Sequence, residues 1–256
     1  MIRFYKKELI EEHIINKLNI KESAKNNFFE NLKKTFDENK EDKNLNDITT
    51  IQKLIDIHID DKGLWVVTEF LDQHLTDYLE NARSDSLGKC KELIYKSIVL
   101  PLLKLCVRVK SIISFAGLMN SFDIYINTNR KENEDFIKIT HPFFNKLETI
   151  FKILDNEHYQ NFYPPDFICF FKQLDNGKII LDCKDLSEPF SLINHNFDMW
   201  ALGYLLYEIL YESRPYNFTS LEKAKTRFSQ KNIFYKIKRS KYSAFITEVI
   251  TNCLKY

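Results

Sequence analysis

Few side chains in this sequence are placed to do chemistry, and each lacks the partners that the chemistry would need. His141, followed by Pro142 and Phe143, could donate a proton or bind a metal. It has no companion motif, and a lone histidine of this kind is more often structural. Asp123, in the string FDIYIN, could hold a cation, but a single carboxylate binds one weakly. His195 and Asp198 head a long apolar stretch, where His195 reads as a cap or surface residue. The five cysteines, Cys90, Cys106, Cys169, Cys183 and Cys253, form no Cys-x-x-Cys pair, so free thiols are expected and a metal site is not. Glycine gives the firmest exclusion. Gly63, Gly88, Gly117, Gly177 and Gly203 are scattered, whereas a loop that cradles phosphates needs glycines close together so that its backbone N–H groups can approach the anion. Neither a Walker loop nor a dinucleotide fingerprint can be written anywhere in the chain.

Charge narrows the field further. There are 37 Lys and Arg against 36 Asp and Glu, so no basic field argues for nucleic acid or an anionic membrane. The run from Lys223 through Arg227 to Lys241, interleaved with Phe228, Phe234 and Tyr235, could meet an anionic partner but reads more simply as a solvated face. The longest apolar stretch, Ile94 to Ile113, is broken by Lys96, Lys104, Arg108 and Lys110, and the first residues have no signal-peptide centre. A cytoplasmic or nuclear protein is the expectation.

Among the elements that must position these residues, Ile51 to Asp60 and Leu64 to Leu71 read as a β-hairpin about the turn Asp60-Asp61-Lys62-Gly63. Ile2 to Leu18 reads as an amphipathic helix. Phe28, Phe29, Leu32 and Phe36 suggest a short helix, and Glu38 to Asp47 a solvated loop. Gln73 to Ala82 reads as a helix, and Lys89 to Ile113 as a longer one kinked at Pro101. Phe122 to Asn127 and Phe136 to Thr140 read as short strands, and Leu147 to Leu154 as helical. Phe162 to Phe167 is fixed by Pro164 and Pro165, and Asp175-Asn176-Gly177 marks a second hairpin. The stretch Asn194 to Phe218 reads as a central helix that ends at a Ser213-Arg214-Pro215-Tyr216 turn, apolar nearly all round, with Asn196 or Asp198 as its N-cap and Gly203 admitting a close neighbour. Ser220 to Ser229 and Ser243 to Leu254 complete the helices.

The string Asp198-Met199-Trp200-Ala201-Leu202-Gly203, with Arg214-Pro215-Tyr216 after the helix, resembles the central C-lobe helix of protein kinases. Glu11-x-x-Ile14-Ile15-x-x-Leu18 is similar to the end of that family's C-helix, with Glu11 as its ion-pairing glutamate. Leu64 to Leu71 resembles the fifth strand and hinge. The resemblance makes Thr68 the gatekeeper and Glu69 the first hinge residue, whose carbonyl would meet adenine. Pro164-Pro165-Asp166 resembles Ala-Pro-Glu, with Pro165 and Asp166 in structural roles. Asp198, Trp200 and Gly203 would be scaffold, Asp198 buttressing the catalytic loop. The implied fold is α+β and protein kinase-like. Its reduced N-lobe, 1–71, would be a C-helix plus a β-hairpin with a charged insertion at about 21–50. Its mainly α-helical C-lobe, 72–256, would carry an insertion at about 168–193.

The departures fall on the chemistry. With Glu11 in the C-helix, the strands that carry the family's glycine-rich loop and lysine would lie before Met1. Setting Asp123 at the position of the catalytic-loop asparagine puts Leu118 at that of the catalytic aspartate, and a two-residue gap puts Ala116 there. His141 then stands where the family has a metal-binding aspartate. An alternative register takes 164–182 as catalytic loop and metal strand, with Phe162 at the aspartate. In either register the base is missing. The resemblance therefore implies an inactive kinase-like domain that binds a protein partner, with no metal and no cofactor. ATP and magnesium enter only if the chain is instead a divergent or truncated active Ser/Thr kinase. An unrelated α+β interaction domain is the third reading.

Overall fold

A computed structural model describes residues 1–10, 34, 50–84, 94–109, 124–130, 136–140, 164–173, 175, 179–181, 195–216, 220–229 and 244–254. The expected helices around Phe28 and Leu147, the loop at 38–47 and the residues Glu11, Leu118, Asp123 and His141 lie outside them. The chain divides into two compact units, Met1–Ser114 with Ser121–Leu154, and Phe115–Asn120 with Asp155–Tyr256. The architecture is α+β, with antiparallel sheets and helices.

In the first unit, the alternation of 54–68 produces the expected hairpin. Strands β2 (Leu54–Ile59) and β3 (Gly63–Thr68) pair antiparallel, Ile59 facing Leu64, with a bulge between Leu54 and Asp56. Asp60 makes the turn. Its Oδ1 accepts the N–H groups of Lys62 and Gly63 at 2.8 and 2.9 Å, and its Oδ2 accepts the Trp65 indole N–H at 3.0 Å. Gly63 is obligatory there. Its φ is 154°, and a Cβ would run into the carbonyl oxygen of Tyr5.

The first residues correct the sequence reading. Ile2–Lys6 is a strand, β1, and only Lys7–Ile10 (α1) is helical among residues 1–10. The strand lies along the other edge of β3, Phe4 facing Trp65 and Lys6 facing Gly63, which gives the sheet order β1-β3-β2. A helix would have left the N–H and C=O groups on that edge of β3 without these partners. The alternation of Ile2, Phe4 and Lys6 outward with Arg3 and Tyr5 half-buried is that of a strand, and Phe4 stacks on Trp65 at 4.0 Å. A strand therefore does precede position 11.

A second sheet has the order β4-β5-β6, from Gln73–His74, Ile124–Ile126 and Ile137–Ile139. All residues of β5 and β6 are buried, so both faces of that pair are covered. Ile51 adds a parallel bridge to Ile139. Helix α2 (Leu75–Ser84) buries Leu75 and Leu79. Where the sequence suggests a kink at Pro101, the structure has a π-helical turn, Tyr95–Val99, running into α3 (Leu100–Val109). Pro101 has no N–H for the carbonyl four residues back, and the wider turn closes with the Leu100 N–H on the Tyr95 carbonyl.

In the second unit, Pro165 starts the short helix α4 (Pro165–Ile168) at a position where a missing N–H costs nothing. The hairpin of β7 (Phe171–Gln173) and β8 (Ile179–Leu181) follows, as the Asp-Asn-Gly signal requires. The central helix, α5 (His195–Tyr211), is buried along nearly its whole length. It begins before Asn196, so Asn196 and Asp198 sit inside its first turn and not at its cap. There the Asp198 carboxylate suits the helix N-terminus. Helices α6 (Leu221–Ser229) and α7 (Ala244–Cys253) complete the unit. Glycine at 203 lets α7 approach: an added Cβ would lie 2.5 Å from the Cys253 Cβ and 3.1 Å from the Leu254 Cγ.

Two outcomes follow. Gly203→Ala gains about 1 kcal/mol of helix propensity but overpacks against Cβ and backbone atoms that cannot swing away, which costs about 1–3 kcal/mol. The urea midpoint should fall with an unchanged slope. At Asp60, burial works to raise the pKa, but the N–H groups of Gly63 and Lys62, the Trp65 indole and the nearby His58 outweigh it and hold the carboxyl below its usual range. A depressed carboxylate stabilises the fold above its unfolded pKa and loses that contribution as pH falls through its folded one. Acid titration followed by Trp65 fluorescence should show the hairpin loosening below about pH 4, and Asp60→Asn should flatten that change.

Candidate functional site

Of the residues singled out in the sequence, Thr68 and Glu69 lie in the first unit, at the end of β3. Pro165, Asp166, Asp198, Trp200 and Gly203 lie in the second.

Every polar group of Glu69 is engaged. Its N–H donates to the Lys53 carbonyl at 2.9 Å, and its carbonyl accepts the Gln52 Nε2 at 3.0 Å. Its Oε2 accepts the Lys53 N–H at 3.2 Å, and its Oε1 meets the Lys138 ammonium in a short ion pair. Gln52 Nε2 also donates to the Thr68 hydroxyl at 3.2 Å. Thr68 and Met1 exchange backbone hydrogen bonds of 2.8 and 2.6 Å. The Lys138 side chain is buried, while the Glu69 side chain keeps some access to water. The carboxylate is thus the counter-charge that a buried ammonium requires.

A second polar contact crosses from β1 to the other sheet. Arg3 Nη2 donates to the Tyr125 hydroxyl at 3.1 Å. Tyr125 is buried, faces Lys138 on β6 and His74 on β4, and packs its ring 4.4 Å from that of His74. Beyond the strand end, Asp72 Oδ2 accepts from Asn129 Nδ2 at 2.7 Å and from the Thr128 hydroxyl at 3.3 Å, which holds the segment between β5 and β6. Sequence reasoning missed Gln52, Lys138, Arg3 and Tyr125. The one available signal was Lys138 itself, a lysine between isoleucines in a short strand.

In the second unit Asp198 and Trp200 are buried. The Arg-Pro-Tyr segment returns to the helix that precedes it. Tyr216 stacks on Trp200 at 5.7 Å and an interplanar angle of 7°, and its carbonyl accepts the Tyr204 hydroxyl at 3.4 Å. Burial pushes the Tyr216 phenol up to about 12, against the pull of Arg227, and pushes the Cys253 thiol up to about 11. Both side chains stay protonated at neutral pH and act as packing groups. Pro165 is buried and Asp166 exposed. Phe167 fills the space under α4 against Phe171, with ring centroids 5.7 Å apart. Lys225 Nζ ties α6 to the Cys169 carbonyl at 3.4 Å.

Among the described residues no helix is long and apolar enough to cross a membrane. No protein-family model matches the chain, and no curated protein matches it.

The ion pair sets an order of mutational costs. Glu69→Ala strands a buried ammonium and should cost about 3–5 kcal/mol. Lys138→Met leaves a carboxylate that water can reach and should cost clearly less. Chemical denaturation of the two variants checks the order, and equal costs would contradict it.

Proposed function

We propose that this chain is a kinase-like domain without phosphotransfer activity, acting through binding to another protein. The observation that carries the proposal is the hydrogen bond from Gln52 Nε2 to the Glu69 carbonyl. In the resemblance that carbonyl is the adenine contact, and here an internal amide engages it. Two further features support the reading. The Arg3 guanidinium is directed at the Tyr125 hydroxyl on the second sheet, and the Glu69 carboxylate is committed to Lys138. The sequence adds Leu118 and His141 at the positions of the catalytic and metal-binding aspartates, and no clustered glycines. A domain with these substitutions keeps surfaces for a protein partner and lacks a base to deprotonate a hydroxyl.

One observation favours a second reading, ATP-dependent transfer to protein hydroxyls. Strand β1 precedes position 11 and carries a cationic side chain, Arg3, towards the second sheet.

Thermal unfolding with and without ATP and Mg²⁺ separates the two. A ligand that binds the folded state raises stability with the logarithm of its concentration over Kd, by about 2.7 kcal/mol at a hundredfold excess. The inactive reading expects little or no shift at millimolar nucleotide. A clear metal-dependent shift, with label transfer from ATP to a generic protein substrate, would replace it with the second reading.

A further inference from the structure

The ribbon behind the end of β3 has a polar side whose hydrogen bonds are incomplete. Ile51 and Ile139 form a parallel bridge, in which the Gln52 N–H donates to the Ile139 carbonyl and the Ile139 N–H to the Thr50 carbonyl, both at 2.8 Å. Paired residues of such a bridge point to one side and their neighbours to the other. Thr50, Gln52, Lys138 and Thr140 therefore share the side opposite the two isoleucines. All four are buried, at 7%, 0%, 2% and 1% exposure.

Two atoms of this group have no hydrogen-bond partner among the described residues: Gln52 Oε1 and Thr50 Oγ1. Flipping the Gln52 amide offers no remedy. It would turn Oε1 towards the Glu69 carbonyl, which can only accept, and would break the bond at 3.0 Å that Nε2 makes there. Rotation of the Thr50 hydroxyl does not join the pair either, because the two atoms make no hydrogen bond with each other. Buried polar groups in native proteins are satisfied by protein or by ordered water, and a bare carbonyl oxygen in such a place is costly.

The chemistry of the place selects the occupant. Gln52 Oε1 is an acceptor, so it repels an anion. One amide oxygen and one hydroxyl are too few oxygen ligands to hold a bare cation. What fits is small, neutral, and both donor and acceptor. We propose that Gln52 and Thr50 hold an internal water molecule, which donates to Gln52 Oε1 and shares a hydrogen bond with the Thr50 hydroxyl. The site shares the Gln52 amide with the contact that carries the proposed function, but it does not depend on that reading. It has a consequence for that contact, because the same amide holds the Thr68 hydroxyl and the Glu69 carbonyl. A donor on Oε1 polarises the amide and strengthens both bonds from Nε2.

The test uses the full chain. In uniformly labelled wild type, water-to-protein magnetisation transfer should give cross-peaks to the Gln52 side-chain amide protons with the sign of a long-lived bound molecule. Deuterium relaxation dispersion should count one fewer long-lived water in Thr50→Val than in wild type, and an equal number in Thr50→Ser, which keeps the hydroxyl. The Tm of Thr50→Val should fall. A hydroxyl that holds nothing would behave oppositely, since its isosteric removal relieves an unmet group and raises the Tm. A wild type without the Gln52 cross-peaks, an unchanged water count in Thr50→Val, or a Thr50→Val protein that melts above wild type would each overturn the proposal.

Discussion

The first unit depends on a buried positive charge and on Glu69, which pairs with it among the described residues. Lys138 lies in the middle of a strand covered on both faces, where burying a charge is costly unless it is paired. Glu69 supplies the counter-charge at the point where β3 leaves its sheet. In doing so it fixes the course of the chain from the first sheet towards the second. Its backbone and side chain are both held by Lys53, and its carbonyl by Gln52, so the strand end cannot slide without breaking several bonds together. A hydrophobic pair in the same place would pack as well but would not specify which residue of β3 meets which residue of β6. The ionic pair serves register at least as much as stability.

The second unit is organised by shape. Helix α5 is apolar around its circumference, and its neighbours are set by how closely they can approach. At residue 203 the absent side chain admits the backbone of α7. At the N-terminal half of α5, Trp200 receives the ring of Tyr216 from the turn that follows the helix. The two ends of the segment 198–216 are therefore one packing unit. This gives a physical reason for the Asp-x-Trp-x-Leu-Gly string to occur together with Arg-Pro-Tyr, independent of any chemistry.

Legibility in the sequence followed the range of the forces involved. The β2–β3 hairpin was readable because its turn is local: Asp60 bonds residues two, three and five positions on. The central helix was readable because an apolar surface on every side has only one place to go. Strand β1 was not, because IRFYK runs directly into the helical pattern KKELI, and its partner lies far away in β3. The polar cluster was not readable for a related reason. Alternation suggests that Lys138 and Gln52 face solvent, and only the covering of both faces of β6 reverses that. Glu69 was singled out through its backbone carbonyl. The structure adds a role for its carboxylate that no local pattern announces.

The placement of β1 also has a consequence for the order of assembly. Arg3 meets Tyr125 across 122 positions of sequence, and the whole of β1 pairs with a strand that leaves the ribosome well after it. Closing so long a loop is entropically slow compared with forming the β2–β3 hairpin, which needs only its own turn. During synthesis, Ile2 and Phe4 must wait as an unpaired apolar segment until β3 has formed beside β2 and offers its free edge. β1 therefore docks on an edge that the β2–β3 hairpin must first create, so an early-made segment depends on a later-made one.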